Sequence, residues 1–352
     1  MKKFFPFFLC LFLLGFSPLE MNEVSNGYIL IDTETEEVLE SHNIDTPLSI
    51  ASTTKLMSYL IFKEALDKGD WTFDTIITAS KKDKRSGSSY GIEPEKEYSV
   101  KELMTASLVI SGNDATVLLA RHLAGSEEKF TQMMNERAKE LELTTAKFYN
   151  CTGLPVYPQD VQNQMSIRDL SKLSLYLLKK HKEILKFTSI EEIPIPNTEE
   201  FEKNTNPLLG IVKGADGLKT GYTRAAGRCL VWTVKCSNSK TRLLGINMGF
   251  KKLEERDRFI IDFAEYSKKN YAKDVWVSKK MPIVLYVRES KEKFLICHPD
   301  RNFEARRKDS KNFKRSLRIN ENKYPFKEGE VVGKVFVKDK NRVIFETELR
   351  AE

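Results

Sequence analysis

The sequence is poor in the residues that build metal centres and disulfide frameworks. It has five cysteines and four histidines in 352 residues, with no Cys-x-x-Cys pair and no His-x-x-x-His pair. Because zinc sites draw their ligands from such spacings, a zinc hydrolase has little support, and we expect neither a metal nor a cofactor. We expect buried free thiols, rather than a disulfide framework, at the four cysteines beyond the N-terminal segment: Cys151, Cys229, Cys236 and Cys297.

Long apolar runs are scarce as well. The run from Phe4 to Phe16 lies behind two lysines and is too short for a comfortable membrane span. A basic start, an apolar core and a pair of small residues are typical of a secretory signal. Because Pro18 follows the small residues, an uncleaved anchor is the alternative. Residues 1–20 are therefore interpreted as a signal peptide or signal anchor, and the protein as exported.

Positive charge is concentrated towards the C-terminus. Residues 275–352 contain 20 Lys and Arg against 12 Asp and Glu, which accounts for the net charge of +7 on the whole chain. Short β-type runs without a long helix fill this part. We therefore expect a β-rich domain over 275–352, after a catalytic domain over 21–272. The basic surface is interpreted either as a solvated face or as a contact for the membrane surface or anionic wall polymers, and not for nucleic acid.

A serine and a lysine open an apolar run that has the pattern of a helix. Ser52 and Lys55 are three residues apart, so on a helix their side chains share one face. A serine hydroxyl becomes a good nucleophile when a base removes its proton, and a desolvated lysine amine can be that base. The same spacing recurs in charged, turn-like stretches at residues 237–240 and 290–293, so the spacing alone decides little.

Two further strings follow Ser52 in order. Ser-Gly-Asn at residues 111–113 interrupts a helical pattern, either as a helix break with a new N-cap or as polar side chains in a cleft. Lys-Thr-Gly at residues 219–221 occurs once and precedes two runs that predict a β-hairpin. This ordered triple is found in penicillin-binding proteins and class A β-lactamases.

With these strings the chain resembles the low-molecular-mass penicillin-binding proteins, the serine-type D-alanyl-D-alanine carboxypeptidases. The likeness extends to Asn-Cys-Thr-Gly-Leu at 150–154, Asp-Gly-Leu-Lys-Thr-Gly-Tyr-Thr at 216–223 and the segment 327–334. It implies an α/β (α+β) catalytic domain of the serine β-lactamase and DD-peptidase type, in which a helical subdomain flanks an antiparallel sheet, and a small C-terminal all-β domain. Two departures are Cys151, where the family has proline, and a missing amphipathic C-terminal anchor helix.

The resemblance implies a role for each candidate residue. Ser52 forms an acyl-enzyme with the penultimate D-alanine, Lys55 is the base, and Ser111 relays a proton to the leaving amine. The backbone N–H groups of Ser52 and Tyr222 form the oxyanion hole. The residues implied to bind substrate are Asn113, Lys219, Thr220, Gly221, Tyr222 and Arg256, with Arg258 in reserve for Arg256. A solvent-facing arginine is the alternative interpretation of both.

The implied partners are peptidoglycan stem peptides that end in D-Ala-D-Ala, and β-lactam antibiotics. The implied location is the extracytoplasmic face of a bacterial membrane, the periplasm or the medium. Two other functions stay open. A β-lactamase would need a Glu-x-x-Leu-Asn loop between the second and third strings, which is not found. A slow penicillin-binding scaffold or sensor would rely on the basic domain, although all three strings are intact.

Overall fold

The computed structural model of the chain describes residues 18–237, 239–288, 293–320 and 325–352. Residues 1–17 of the expected signal, and Ser290 of the third Ser-x-x-Lys string, therefore lie outside the described residues. No helix within the described ranges has the length and apolarity needed to cross a membrane.

The helices are α1 (Pro18–Val24), α2 (Lys55–Lys68), α3 (Val100–Val109), α4 (Asn113–Ala124), α5 (Glu127–Glu140), α6 (Ile167–Lys180), α7 (Leu185–Thr188) and α8 (Leu253–Tyr271). The strands are β1 (Gly27–Asp32), β2 (Val38–His42), β3 (Leu48–Ser49), β4 (Ile76–Thr78), β5 (Glu97–Ser99), β6 (Gln164–Met165), β7 (Glu192–Pro194), β8 (Phe201–Lys203), β9 (Ala215–Thr223), β10 (Gly227–Lys235), β11 (Arg242–Phe250), β12 (Lys273–Val277), β13 (Ile283–Tyr286), β14 (Phe294–Pro299), β15 (Phe303–Arg306), β16 (Phe313–Ile319), β17 (Val331–Asp339) and β18 (Arg342–Ala351).

A five-stranded antiparallel sheet of order β2-β1-β11-β10-β9 organises the larger part of the chain. Its central strands are apolar on both faces because helices cover both. Along β1, Ile29 and Ile31 join the core beneath the helices α2 to α6, whereas Tyr28 and Leu30 join a second core against α8. Strands that are buried on both faces lose the polar alternation of a half-exposed sheet.

Helix α2 forms the centre of the helical part. Ten of its fourteen residues are buried, and a helix that is apolar on all sides belongs inside a core. It ends at the C-cap residue Gly69, as its sequence predicts. Ser52 lies on a 3₁₀ turn just before α2. This turn contacts both α2 and strand β9 of the sheet.

The C-terminal strands form a unit with a core of its own. β13-β14-β18-β17-β16 is a second five-stranded sheet, and β12 pairs with β15. Ion pairs link this part to the larger sheet: Lys273 contacts Asp32 at 2.7 Å, and Arg306 contacts Glu37. The predicted architecture, an antiparallel sheet flanked by helices and followed by a small β domain, is confirmed.

Candidate active site

The amine of Lys55 lies at the centre of the site. Its Nζ donates to Ser52 Oγ at 3.1 Å, to Asn113 Oδ1 at 2.7 Å and to the carbonyl of Thr152 at 3.0 Å. The Lys55 side chain is fully buried, and within the described part of the chain it forms no ion pair. Because these partners are uncharged, they allow the neutral form of the buried amine. In that form its two N–H groups donate to Asn113 and Thr152, and its lone pair accepts from the Ser52 hydroxyl.

A 3₁₀ turn over Ala51–Thr54, rather than the α-helix itself, presents Ser52 to this amine. Residues i and i+3 eclipse in a 3₁₀ turn, so Ser52 and Lys55 still share a face, as their spacing predicts. The turn begins with a left-handed residue, Ala51, at φ 45°. Such a backbone costs a non-glycine residue free energy and persists only where its surroundings enforce it.

The turn at 150–154 provides that enforcement. Asn150 Oδ1 accepts from the backbone N–H groups of Thr152 at 3.0 Å and Gly153 at 2.7 Å. Gly153, at φ 86°, packs its Cα directly against the backbone of Ala51: a Cβ built there would lie 1.9 Å from the Ala51 carbonyl oxygen. The same turn thus supplies an acceptor to Lys55 and supports the residue before Ser52.

The Ser-Gly-Asn string joins α3 to α4. The N-cap position of α4 is Gly112, which makes no side-chain cap, and the side chain of Asn113 instead bridges Lys55 and the carbonyl of Ser86 at 2.8 Å. For Asn113, the cleft interpretation of the string therefore applies. Ser111 is buried in a left-handed conformation at φ 65°, and its hydroxyl has no hydrogen-bond partner among the described residues.

Strand β9 forms the edge of the sheet beside Ser52. Gly221 approaches the serine closely, since a Cβ built on it would lie 3.1 Å from the Ser52 nitrogen. Lys219 is buried and its Nζ donates to the Thr220 carbonyl at 3.1 Å, while the Thr220 hydroxyl lies 2.6 Å from that of Thr205. The side chain of Tyr222 is 55% exposed, and its ring stacks beneath a guanidinium, that of Arg228, 4.2 Å from the ring centroid.

Helix α8 carries both candidate arginines. Arg256 is 5% exposed and pairs with Asp257, with 2.5 Å between Nη2 and Oδ1. Arg258 is exposed and stacks on Phe259. The solvent-facing interpretation therefore fails for Arg256 and applies to Arg258. Repulsion from the Arg256 guanidinium helps to lower the pKa of Lys219.

Burial controls the charge states of the two lysines. Desolvation lowers the pKa of Lys55 to about 7, although the nearby Asp114 carboxylate opposes the shift. Desolvation also holds the pKa of Lys219 well below its usual range, with repulsion from Lys55 and Arg256 acting in the same direction. Both lysines together therefore carry less than two charges near neutral pH.

Comparison with known proteins identifies this arrangement. The sequence profile of the peptidase S11 family, described as D-alanyl-D-alanine carboxypeptidase, matches residues 17–251. The chain belongs to this family. The predicted enzyme class, a serine-type D-Ala-D-Ala carboxypeptidase, is thereby confirmed.

Three relatives illustrate how far the likeness of this carboxypeptidase extends. D-alanyl-D-alanine carboxypeptidase DacF of Bacillus subtilis (strain 168) is 30% identical over 342 residues, which cover 95% of this chain and 86% of the relative. Penicillin-binding protein D2 of Listeria monocytogenes, solved in an ampicillin-bound form, is 30% identical, with a TM-score of 0.62, covering 69% of this chain and 96% of that one. A peptidoglycan synthesis regulatory factor (PBP3) of Streptococcus pneumoniae shares the fold at 24% identity and TM-score 0.68, covering 94% of this chain and 98% of the other.

Three residues contribute to the site although the sequence did not predict them as site residues: Asp114, Thr152 and Thr205. Asp114 accepts from the backbone N–H groups of three successive residues, Tyr90, Gly91 and Ile92, and so anchors the loop between β4 and β5. Thr152 contributes a backbone carbonyl, which has no signature in the residue type. Thr205 lies in a segment that reads only as a loop. The cysteines match their prediction, since Cys151, Cys229, Cys236 and Cys297 are all free and buried.

We predict that Gly153→Ala impairs both stability and the nucleophile. The added methyl group would overlap the Ala51 carbonyl, so the turn that carries Ser52 must shift. Loss of about 2–4 kcal/mol in the free energy of unfolding is expected, together with slower labelling by a fluorescent penicillin. Thermal melts and gel fluorescence measure the two effects.

Gly91→Ala is the matched control. Gly91 has a similar φ of 80°, but no atom lies within 4 Å of a Cβ built on it. This variant experiences only the backbone strain, about 1 kcal/mol, and should label at the normal rate. Equal behaviour of the two variants would contradict the contact between Gly153 and Ala51.

Proposed function

We propose that this enzyme removes the terminal D-alanine from peptidoglycan stem pentapeptides through an acyl-enzyme on Ser52. The observation that carries the proposal is the 3.1 Å hydrogen bond between Ser52 Oγ and a fully buried lysine amine that has no carboxylate partner within the described residues. A nucleophile and a base within hydrogen-bond reach, with the base oriented by further groups, form the pattern of an activated serine. Here Asn113 and the Thr152 carbonyl orient the base.

Acylation begins with neutral Lys55. Its amine accepts the Ser52 hydroxyl proton as Oγ bonds to the carbonyl carbon of the penultimate D-alanine. The oxyanion is proposed to form against the backbone N–H groups of Ser52 and Tyr222. Gly221, next to Tyr222, allows the strand to approach this point, since a Cβ built on it would lie 3.1 Å from the Ser52 nitrogen. The C–N bond then breaks, and the leaving amine takes a proton from Lys55, relayed through Ser111. Because the buried Ser111 hydroxyl has no hydrogen-bond partner among the described residues, it is available for this step.

Deacylation reverses the roles. A water molecule gives its proton to Lys55, attacks the ester carbonyl and releases the shortened peptide, while Ser52 Oγ recovers a proton from the lysine. In this proposal the same base serves both half-reactions. D-alanine and the tetrapeptide are the two products.

The terminal carboxylate of the substrate lies, in this proposal, against Lys219, Thr220 and Arg256. Lys219 and Arg256 are buried, and burial destabilises a positive charge. The negative charge of the carboxylate would stabilise both cationic side chains. A carboxylate beside Lys219 favours the protonated form of that lysine. Repulsion between the two amines then favours neutral Lys55, and substrate binding itself helps to prepare the base.

Inhibition by β-lactams follows from the same chemistry. A β-lactam presents a strained amide to Ser52 and a carboxylate to the cationic side of the cleft, and its leaving group stays attached after acylation. The ampicillin-bound form of the Listeria relative supports this proposal. Asn113 is proposed to hold the amide of substrate or antibiotic, because its side chain contacts the Lys55 amine through Oδ1 and can exchange the contact of Nδ2 with the Ser86 carbonyl for one with the ligand.

The remaining proposals concern location and domain organisation. We propose an exported enzyme with a signal or anchor over residues 1–20, a catalytic domain over 21–272 and a β domain over 275–352. The separate core of the C-terminal sheet supports the division. The basic residues of the β domain are proposed to contact the membrane surface or anionic wall polymers.

Ser52→Ala is expected to lower the release of D-alanine at least about 10³-fold, since the acyl-enzyme cannot form. The variant should also fail to gain the mass of a bound penicillin in intact-protein mass spectrometry. Ser237→Ala, which alters a Ser-x-x-Lys string outside the cleft, is the control and should behave like the wild type. An adduct that persists in Ser52→Ala would overturn the assignment of the nucleophile. An adduct on the wild type without any D-alanine release would favour a penicillin-binding scaffold instead.

The pH dependence of acylation should report the Lys55 amine. Protonated Lys55 cannot accept the serine proton, so kcat/KM is expected to rise with pH and to level off above a midpoint near 7, the pKa that burial gives this lysine. Lys55→Arg keeps a donor but stays protonated, and should lose at least about 10²-fold at every pH. A midpoint near 10, or an active arginine variant, would show that Lys55 is not the base.

Arg256→Ala should raise KM by about tenfold or more, because a buried charge-assisted contact with the carboxylate is lost. The effect should disappear with a substrate whose C-terminus is amidated, which separates carboxylate binding from a general structural fault. Arg258→Ala is the matched control on the exposed face of the same helix and should leave KM unchanged. Equal KM values for Arg256→Ala and the wild type would show that Arg256 does not bind the carboxylate, which would leave Lys219 and Thr220 as its proposed ligands.

A further inference from the structure

The hairpin of β13 and β14 exposes an unusual amount of apolar surface. Four of its side chains point away from the C-terminal sheet and are large, apolar and exposed: Val284 at 58%, Tyr286 at 63%, Phe294 at 60% and Ile296 at 44%. They are neighbours, because Val284 pairs with Ile296 and Tyr286 with Phe294 across the two strands. The rings of Tyr286 and Phe294 lie edge to face, 5.8 Å apart.

The opposite face of the same hairpin is apolar too. Ile283, Leu285, Leu295 and Cys297 belong to the core of the C-terminal sheet or pack against it. A strand with one solvated face normally alternates apolar and polar residues, whereas these strands are apolar on both faces. Contiguous exposed apolar surface of this kind marks an interaction site.

The hairpin also stands at the margin of its sheet. β13 is an edge strand, and β14 pairs with β18 only through three residues, Cys297 to Pro299. Next to β18 the ladder reaches the Ile296 carbonyl, which accepts from the Glu352 N–H, and within the described residues Phe294 and Tyr286 make no pair with β18. An edge ribbon can present its outer face to a flat partner without disturbing the sheet behind it.

Cations flank the apolar face. Lys279 and Lys280 precede β13, Arg288 follows it, and Lys293 precedes β14; all four are exposed. Within the described ranges none of them forms an ion pair. Over residues 279–296 the sequence has five Lys and Arg against two Glu, a net charge of +3. Apolar and aromatic side chains bordered by lysine and arginine are characteristic of surfaces that enter the interface of an anionic bilayer.

We propose that the outer face of the β13–β14 hairpin inserts into the interfacial region of an anionic phospholipid membrane. A second copy of the chain is disfavoured, because pairing two such faces would bring together two segments that each carry a net charge of +3. An anionic polymer would satisfy the cations but leave Val284, Tyr286, Phe294 and Ile296 in water. A bilayer with acidic headgroups meets both requirements. This surface lies outside the Ser52 site, so the proposal does not depend on the reaction.

A local fluorescence probe tests the insertion in the full chain. Cys10→Ser removes the cysteine of the N-terminal segment, and the four remaining native cysteines are buried. In that background, Phe294→Cys is labelled with an environment-sensitive nitrobenzoxadiazole group and mixed with vesicles of phosphatidylcholine and phosphatidylglycerol. The expected result is a blue shift with at least about a twofold gain in emission, as the probe leaves water. Val284→Cys, on the same face, should give the same response.

Two controls keep the result specific. Phe201→Cys places the probe at another exposed aromatic position, 62% exposed, on β8 of the catalytic part, and should show no shift. Lys279→Glu combined with Lys280→Glu should weaken the response of the Phe294 probe about tenfold or more in lipid titrations, given about 1 kcal/mol for each basic residue near an anionic surface. Penicillin labelling should be unchanged in all of these variants, which verifies that they are folded.

Three outcomes would overturn the proposal. The first is an unshifted probe at residue 294 in the presence of anionic vesicles. The second is an equal shift at residue 201, which would show only that the N-terminal segment brings the whole protein to the lipid. The third is a shift without vesicles that grows with protein concentration, which would assign the surface to contact between two copies.

Discussion

The structure depends on keeping one lysine amine out of water without giving it a counter-ion. Lys55 is held by a hydroxyl, a side-chain amide and a backbone carbonyl, contributed by three separate parts of the chain. A carboxylate in any of these positions would stabilise the ammonium form and destroy the base. Desolvation works in the opposite direction, and its effect on the pKa is the largest at this residue. The site therefore keeps both water and carboxylates away from the Lys55 amine, in addition to positioning Ser52.

Much of the local architecture can be understood as support for that amine. Gly153 lets one backbone approach another so closely that Ala51 is held in a left-handed turn. The Asp114 carboxylate opposes the lowering of the Lys55 pKa, and it accepts from backbone N–H groups of the loop between β4 and β5. On the other side, the edge of β9 closes the cleft with a second buried lysine. We propose that the carboxylate of the substrate binds beside this lysine.

The sequence was sufficient for the elements whose signals are local. The hairpin of β1 and β2, the end of α2 at Gly69 and the N-cap of α6 at Ser166 all follow from turn and capping chemistry. The order of the three strings led to the family, and the profile match to residues 17–251 agrees. Other features depend on tertiary contacts and leave no such trace. The burial of Arg256 is set by how α8 packs, the conformation of Ala51 is enforced by a residue about a hundred positions away, and the Thr152 acceptor is a main-chain atom.

The membership in the D-alanyl-D-alanine carboxypeptidase family and the geometry around Lys55 thus lead to one central claim, that a buried, neutral lysine activates Ser52. Direct titration of that amine tests it most simply. In protein labelled with ¹³C-lysine, the Cε resonance that is lost in Lys55→Met can be followed by NMR across the pH range. The account predicts a midpoint near 7, well below that of the exposed lysines. A Lys55 resonance that titrates with the exposed lysines, near pH 10, would contradict it.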